Sequence, residues 1–225
     1  EAQTWVNRRL QFTHGYGVVM SPVNEISTEG MPSLLLKDVP PKGVFNVERP
    51  EIYFGERTKN HVVVKTNAQE FDYPKEDQNV YTTYQGKGGV ALDSYLRRLA
   101  FAIQFGDNDL LFTSYLTPES RILYYRQVQD RVKRLAPFLL LDADPYIVVA
   151  DGKLYWIQDA YTHTNHYPYS QSYRKQLNYV RNSVKVVIDA YNGDVAFYVI
   201  DPSDPMINTY RSIFPNLFVP FEQLP

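Results

Sequence analysis

The side chains in this 225-residue chain best equipped for chemistry are a few aspartates and histidines. The segment Leu141-Asp142-Ala143-Asp144-Pro145-Tyr146 sets two carboxylates two residues apart, just after the apolar run Phe138-Leu139-Leu140-Leu141. Side chains alternate along an extended chain, so Asp142 and Asp144 would share one face. Paired carboxylates can hold a hard cation or split their pKa values for acid–base work. Asp159 lies in a second extended run, and His14 sits between glycines in Thr13-His14-Gly15-Tyr16-Gly17, where backbones approach closely. Asp142, Asp144, Asp159 and His14 are therefore the candidate catalytic set, on condition that they converge in a cleft. The alternative is that Asp before Pro forms a turn or cap, and that His14 serves packing.

His163-Thr164-Asn165-His166 has a His-x-x-His spacing, and two imidazoles can share a divalent metal. A complete site needs further ligands, of which Asp159 is the nearest in sequence; surface histidines in a polar loop are the alternative. The chain contains no cysteine, which removes disulfides, thiolate metal sites and cysteine nucleophiles. No serine nucleophile motif accompanies His14. Gly86-Lys87-Gly88-Gly89 lacks the spacing of a phosphate-binding loop, although glycine-rich backbone before a helix can hold an anion. No cofactor is expected. Arg121, Arg126, Arg131, Lys133 and Arg134 form a basic stretch diluted by Glu119 and Asp130, as on a solvated helix face. With a net charge of -2, no nucleic-acid partner is expected.

These residues need a frame to position them. The chain is 44% hydrophobic and 21% charged, a balance that supports a folded core. Its 19 Tyr and 12 Phe suit half-buried sheets and wet interfaces alike. No run approaches the roughly 18 apolar residues of a membrane span. The opening Glu1-Ala2-Gln3-Thr4-Trp5 has neither an initiator Met nor a signal-peptide pattern, as expected of a piece of a longer protein.

Residues 1–50 are rich in turn formers and predict an extended arm. Two strands are expected between Glu51 and Thr66, joined across Glu56–Asn60 as a hairpin. Leu92, Tyr95, Leu96, Leu99, Ala100 and Ile103 recur at helical spacing, with Gly106 beyond the end. Thr117-Pro118 predicts the start of a second helix, with the stripe Ile122, Tyr125, Val128, Val132 and Leu135. Asp151-Gly152 and Asn192-Gly193 each separate two β-rich runs and predict hairpins. Ser203-Asp204-Pro205 predicts a short helix to about Ile213. The expected fold is α+β: a mainly antiparallel sheet with a pair of helices on one face and an extended N-terminal arm. One soluble domain is expected over 1–225, divided into the arm (1–50), strands plus two helices (51–136), and a hairpin-rich sheet with a short C-terminal helix (137–225).

Several segments together carry a resemblance. Thr13-His14-Gly15-Tyr16-Gly17, Ile52-Tyr53-Phe54-Gly55-Glu56, Ala136-Pro137-Phe138-Leu139 with Asp144-Pro145-Tyr146, Trp156-Ile157-Gln158-Asp159-Ala160-Tyr161-Thr162 and Arg181-Asn182-Ser183-Val184-Lys185 resemble an uncharacterised family of large bacterial multi-pass membrane proteins. The likeness runs through nearly the whole chain in the same order. It implies a block of transmembrane helices outside this chain, and a soluble region on the extracytoplasmic side of the bacterial cytoplasmic membrane. It implies no catalytic residues, and places the His163/His166 pair outside the family's usual pattern. The function expected from these readings is binding or assembly, with other envelope proteins or glycans as partners. An envelope-acting hydrolase, or a structural cap on a transporter, is the alternative.

Overall fold

The computed structural model describes residues 4–26, 28–173 and 177–224. A π-helical turn, Asn7–Gln11, carries Leu10 into a fully buried position, so the start of the expected arm belongs to the body. Strand β1 (Gly15–Tyr16) then pairs antiparallel with β4 (Glu51–Ile52). Between them the chain makes an excursion around the short hairpin β2 (Leu36–Lys37) and β3 (Lys42–Gly43). This stretch is the extended part: Val19, Val23, Ile26, Met31 and Val44 are all exposed.

Strand β5 (Val62–Val64) is buried on both faces, as three consecutive β-branched residues permit. Val62 and Val64 join Tyr53, Phe54, Tyr84 and Leu123, while Val63 joins Leu10, Leu92, Ala102, Leu110 and Ile122. Strands β6 (Glu70–Lys75) and β7 (Gln78–Thr82) form a hairpin, and β8 (Val90–Ala91) leads into helix α1 (Tyr95–Phe105). Ser94 caps α1 by accepting the Arg97 N–H at 3.4 Å, and Gly106 ends it in the left-handed region. Ala102, Phe101 and Phe105 face inward. The predicted stripe lies on the other side, with Leu96 75% and Ile103 74% exposed. A short helix α2 (Asp109–Phe112), not predicted, buries Leu110.

The predicted second helix starts ten residues late. Thr117 and Ser120 donate both hydroxyls to the Lys65 carbonyl, at 2.9 and 3.0 Å, and so do not open a helix. Arg121–Leu123 is instead β9, the middle strand of the antiparallel sheet β5–β9–β8. The predicted 51–66 hairpin is also replaced, because β4 pairs with β1 and β5 with β9. Helix α3 (Val128–Leu135) begins only after Tyr125, whose φ of 48° breaks the chain direction, and Gln127 caps it through the Asp130 N–H.

The C-terminal sheet follows the pattern more closely. Strands β10 (Leu140–Leu141) and β11 (Tyr146–Ala150) lie along the same side of the long β12 (Lys153–Thr164). Next come β13 (Tyr179–Asp189) and β14 (Val195–Val199), all antiparallel. Helix α4 (Pro205–Ile213) returns the chain so that β15 (Phe218–Pro220) adds in parallel to β14. Asp151-Gly152 turns the first hairpin with φ of 48° and 73°, as predicted. Ala160, Val184, Val186, Ile188, Phe197 and Val199 share one face, covered by Val128 and Val132 of α3 and Ile207 of α4. The pair of helices on the sheet is thus α3 with α4, while α1 packs on the N-terminal layer.

The two layers are joined closely. Trp156 donates its indole N–H to the Phe54 carbonyl at 3.0 Å, and the Tyr53 and Phe54 amides both donate to Ala190 O at 2.9 Å. Gly193, at φ 75°, lies so near Phe54 that a Cβ there would sit 2.5 Å from the ring, which requires glycine twice over.

Candidate functional site

The four predicted catalytic residues occupy two separate settings. Asp142 follows directly on β10 and Asp159 lies on the neighbouring β12, the two linked by the Asp142 N–H on Asp159 O at 3.0 Å. Their carboxylates are already engaged. Asp142 accepts the Asp144 N–H at 3.1 Å and the Tyr161 hydroxyl at 3.0 Å, which hold its pKa below the usual carboxylate range. Asp159 pairs with Lys185 at 3.1 Å and accepts from Asn182 at 3.2 Å. Asp144 is exposed. His163 on β12 is half-buried, and His166 is exposed beyond the strand end. Among the described residues, no group of three or more His, Asp or Glu is arranged to hold a metal ion.

His14 belongs to a different cluster, one that sequence reading missed. Its side chain is fully shielded, stacked beside Tyr53 at 4.6 Å. Nε2 faces Asp72 Oδ1 at 3.2 Å and Nδ1 faces Thr13 Oγ1 at 2.9 Å. Thr13 in turn donates to Glu70 Oε2 at 2.5 Å. The result is a chain of four groups: Asp72, His14, Thr13, Glu70. Glu70 is 1% exposed and also accepts the Tyr53 hydroxyl and the Tyr84 N–H, both at 2.9 Å. Arg126, 4% exposed, lies alongside without an ion pair among the described residues. Its guanidinium donates instead to the carbonyls of Tyr53 (2.6 Å), Asn60 (3.1 Å) and Thr13.

Counting hydrogens defines what this chain can do. It has three gaps, but neutral His14 and Thr13 supply only one hydrogen each. The third must come from a carboxylic acid at one end or from an imidazolium. Burial pushes His14 down to about 4, helped by Arg126, which disfavours the imidazolium. Burial, with Glu51 and Glu70 nearby, pushes Asp72 up to about 6, and burial raises Glu70 as well. Of the two sources, these shifts favour a carboxyl over the imidazolium. With the proton on Asp72, Nδ1–H donates to Thr13 and Thr13 to Glu70; with it on Glu70, every hydrogen bond in the chain reverses. Glu51, also raised by burial, adds a further carboxylate whose buried Oε2 has no hydrogen-bond partner among the described residues.

An open cleft of about 470 Å³ lies on the far side of Glu70, lined by Lys65, Thr66, Thr83, Tyr84, Gln85, Thr117, Pro118 and Glu119. Lys65 has a left-handed backbone, φ 56°, its carbonyl held by the Thr117 and Ser120 hydroxyls. The Tyr84 N–H donates to Glu70 Oε1 at 2.9 Å, and the Lys65 backbone lies near enough to that carboxylate to counter the rise that burial gives its pKa. One wall of the cleft is thus held by the buried carboxylate and another by the Thr117 and Ser120 hydroxyls on the Lys65 carbonyl. A cue existed in sequence: Glu70 and Asp72 have the same two-residue spacing as Asp142 and Asp144. What was missing was any sign that this strand turns its acids inward.

The glycine-rich loop is not an anion cradle. The Lys87 and Gly88 N–H groups go to Asn192 Oδ1 and the Tyr84 hydroxyl, and the carbonyls of residues 87–89 surround the Arg121 guanidinium.

Fold and site together define a two-layered α+β domain with a buried hydrogen-bonded chain of four polar groups beside an open polar cleft. The chain belongs to the family described as "Uncharacterised protein family (UPF0182)", whose model matches residues 1–225. It is 55% identical to a UPF0182 protein of Pelotomaculum thermopropionicum and 56% identical to one of Sulfurovum sp., each across 100% of this chain and 25% of the relative. A UPF0182 protein of the cyanobacterium Trichodesmium erythraeum is 46% identical over 100% of this chain and 27% of its own length. The chain thus spans about a quarter of the curated relatives it matches. No solved structure matches it. Among the described residues, no helix is long and apolar enough to cross a membrane.

Proposed function

We propose that this region is a ligand-binding domain of a larger bacterial membrane protein, held at the extracytoplasmic side by transmembrane helices outside this chain. Its binding face is the cleft between Lys65, Thr83–Gln85 and Thr117–Glu119, and its ligand class is a hydroxyl-rich envelope glycan carrying an acidic group. The observation that carries this reading is the fixing of both Tyr84 and Lys65, the first by the buried Glu70 carboxylate and the second by the Thr117 and Ser120 hydroxyls on its carbonyl. A pre-set wall of this kind lowers the ordering cost of binding. The lining offers an ammonium, threonine hydroxyls, an amide and the Glu119 carboxylate, donors and acceptors suited to a sugar, with Lys65 for the acid. The engaged state of Asp142 and Asp159 weighs against the hydrolase alternative.

Calorimetric titration of the full-length protein with acidic and neutral oligosaccharides of envelope type tests the proposal. Saturable binding of the acidic ligand, weakened about tenfold by Lys65→Ala (on the order of 1.4 kcal/mol), is the expected result. No saturable binding, or binding indifferent to Lys65, would sink it.

The assembly reading also has an observation of its own. Leu96, Ile103 and Phe112 present exposed apolar side chains, 74–82% exposed, on α1 and α2. Contiguous apolar surface of this kind is a common mark of a contact face.

A further inference from the structure

The arginines of α3 are not the solvated face that their sequence implies. Arg131 lies over the Phe54 ring, its guanidinium carbon 4.8 Å from the centroid, and donates Nε–H to Gly193 O at 2.7 Å. Its Nη1 reaches the Tyr124 and Tyr125 carbonyls at 3.4 Å, and Nη2 has no acceptor among the described residues. Arg134, one turn on, stacks over Tyr125 at 3.8 Å and has neither hydrogen bond nor ion pair among the described residues. Tyr125 has a φ of 48°, a costly conformation for a bulky aromatic residue, and strain of this kind clusters where sites are built. Phe54, Val90, Tyr124, Tyr125, Arg131 and Arg134 line a notch of about 270 Å³, and no carboxylate is among its lining residues.

Two guanidiniums over aromatic faces, with donors left over and no carboxylate in the lining (Asp194 acts on Arg131 from outside it), form an anion receptor with an apolar floor. We propose that this notch binds an organic oxyanion, its phosphate or carboxylate bridging Arg131 and Arg134 and its apolar body resting on the half-buried Val90 and Tyr124. The site is separate from the cleft at Lys65 and does not depend on the glycan reading. Partial withdrawal of Arg131 from water strengthens its pull on an incoming anion, since charges interact more strongly where the dielectric is low.

Phenyl phosphate, titrated calorimetrically into the full-length protein, is the probe. Saturable binding is expected, weakened at least tenfold by Arg134→Ala and largely restored in Arg134→Lys. Raising the salt from 0.05 to 0.5 M (about one to five tenths molar being enough to screen exposed charge) should weaken it several-fold. Arg134 is exposed and anchors no backbone, so its removal leaves the fold intact, which circular dichroism would verify. The proposal is overturned if phenyl phosphate shows no saturable binding, if Arg134→Ala binds as the wild type does, or if phenol binds as tightly as phenyl phosphate. Inorganic phosphate binding as tightly as phenyl phosphate would overturn the apolar half of the site.

Discussion

The two layers of this protein bury opposite things. The C-terminal sheet puts apolar residues inside, with Val184, Val186 and Ile188 alternating against α3 and α4, and keeps Asp159 and Lys185 on its other face. The N-terminal layer carries the carboxylates of Glu51 and Glu70 inside and leaves Leu96 and Ile103 of α1 outside. A sheet held by area burial tolerates single losses, because its energy is spread over many contacts. A cluster centred on one carboxylate, as at Glu70, does not, since each buried donor that loses its partner costs about 1–3 kcal/mol. The difference locates function: polar groups fixed in low dielectric are poor glue but good positioning devices.

Breaking the comparison at its strongest point means removing Glu70. Glu70→Ala strands the Thr13 and Tyr53 hydroxyls and the Tyr84 N–H together. A loss of at least ~3 kcal/mol is expected from urea unfolding, an exceptional value for a polar site. The counterpart in the sheet layer is Asp204, whose carboxylate takes the hydroxyls of Thr162, Ser183 and Tyr179, each at 2.5 Å, and caps α4. Burial alone would raise its pKa, but those donors hold it below the usual range. Asp204→Ala strands those three hydroxyls and the Met206 N–H, so it too should lose at least ~3 kcal/mol. A loss below ~1 kcal/mol in either variant would show that its carboxylate holds little in place.

A smaller effect sharpens the same contrast through pH. Asp72, raised from 3.8 to about 6, contributes stability that is full below about 3.8 and is lost as pH rises through about 6. His14, lowered from 6.5 to about 4, contributes stability that is full above about 6.5 and is lost as pH falls through about 4. The two slopes oppose each other between about pH 4 and 6, so the contributions of these two groups largely cancel there. Asp72→Asn removes one slope and supplies a permanent hydrogen to His14 Nε2. Its stability should therefore fall on acidification from 6.5 to 4, and at pH 7 it should exceed the wild type by ~1 kcal/mol, one net hydrogen bond. Denaturant midpoints at pH 4.5, 6 and 7 measure both quantities. An Asp72→Asn profile no steeper than the wild type's would show that this hydrogen-bonded chain carries no proton.

What sequence made legible follows the same division. The Asp151-Gly152 hairpin and the Asp204-Pro205 helix start were readable because local residues decide them, through turn chemistry and a cap. The Thr117-Pro118 signal misled because its hydroxyls serve the Lys65 carbonyl, 52 residues away for Thr117. The acid spacing in Asp142-Ala143-Asp144 was correctly noticed, but its carboxylate chemistry is absorbed by a local turn and Tyr161. Glu70 and Asp72 share that spacing and gain their setting from residues 57 and 58 positions away in sequence. Burial of this kind comes from tertiary contacts, and no window of neighbouring residues encodes it.

The smallest expected effect bears on the most visible misreading, the face of α1. Helical spacing groups Leu96, Leu99, Ala100 and Ile103, and an amphipathic helix would normally bury such a stripe. Here Phe101 and Phe105 stack at 5.9 Å on the other side, against Tyr124, and together with Ala102 fill the space over β5 and β9. The helix is therefore apolar on two faces and the layer has room for only one. If so, Leu96→Glu with Ile103→Glu should change unfolding stability by no more than ~0.5 kcal/mol each, as for surface positions, whereas Phe101→Ala should cost ~3 kcal/mol or more. A large loss from the glutamate pair would mean that the stripe belongs to the core of this layer. A negligible loss would mean that apolar side chains on α1 contribute little to the fold that displays them, and that their value lies in contact with something else.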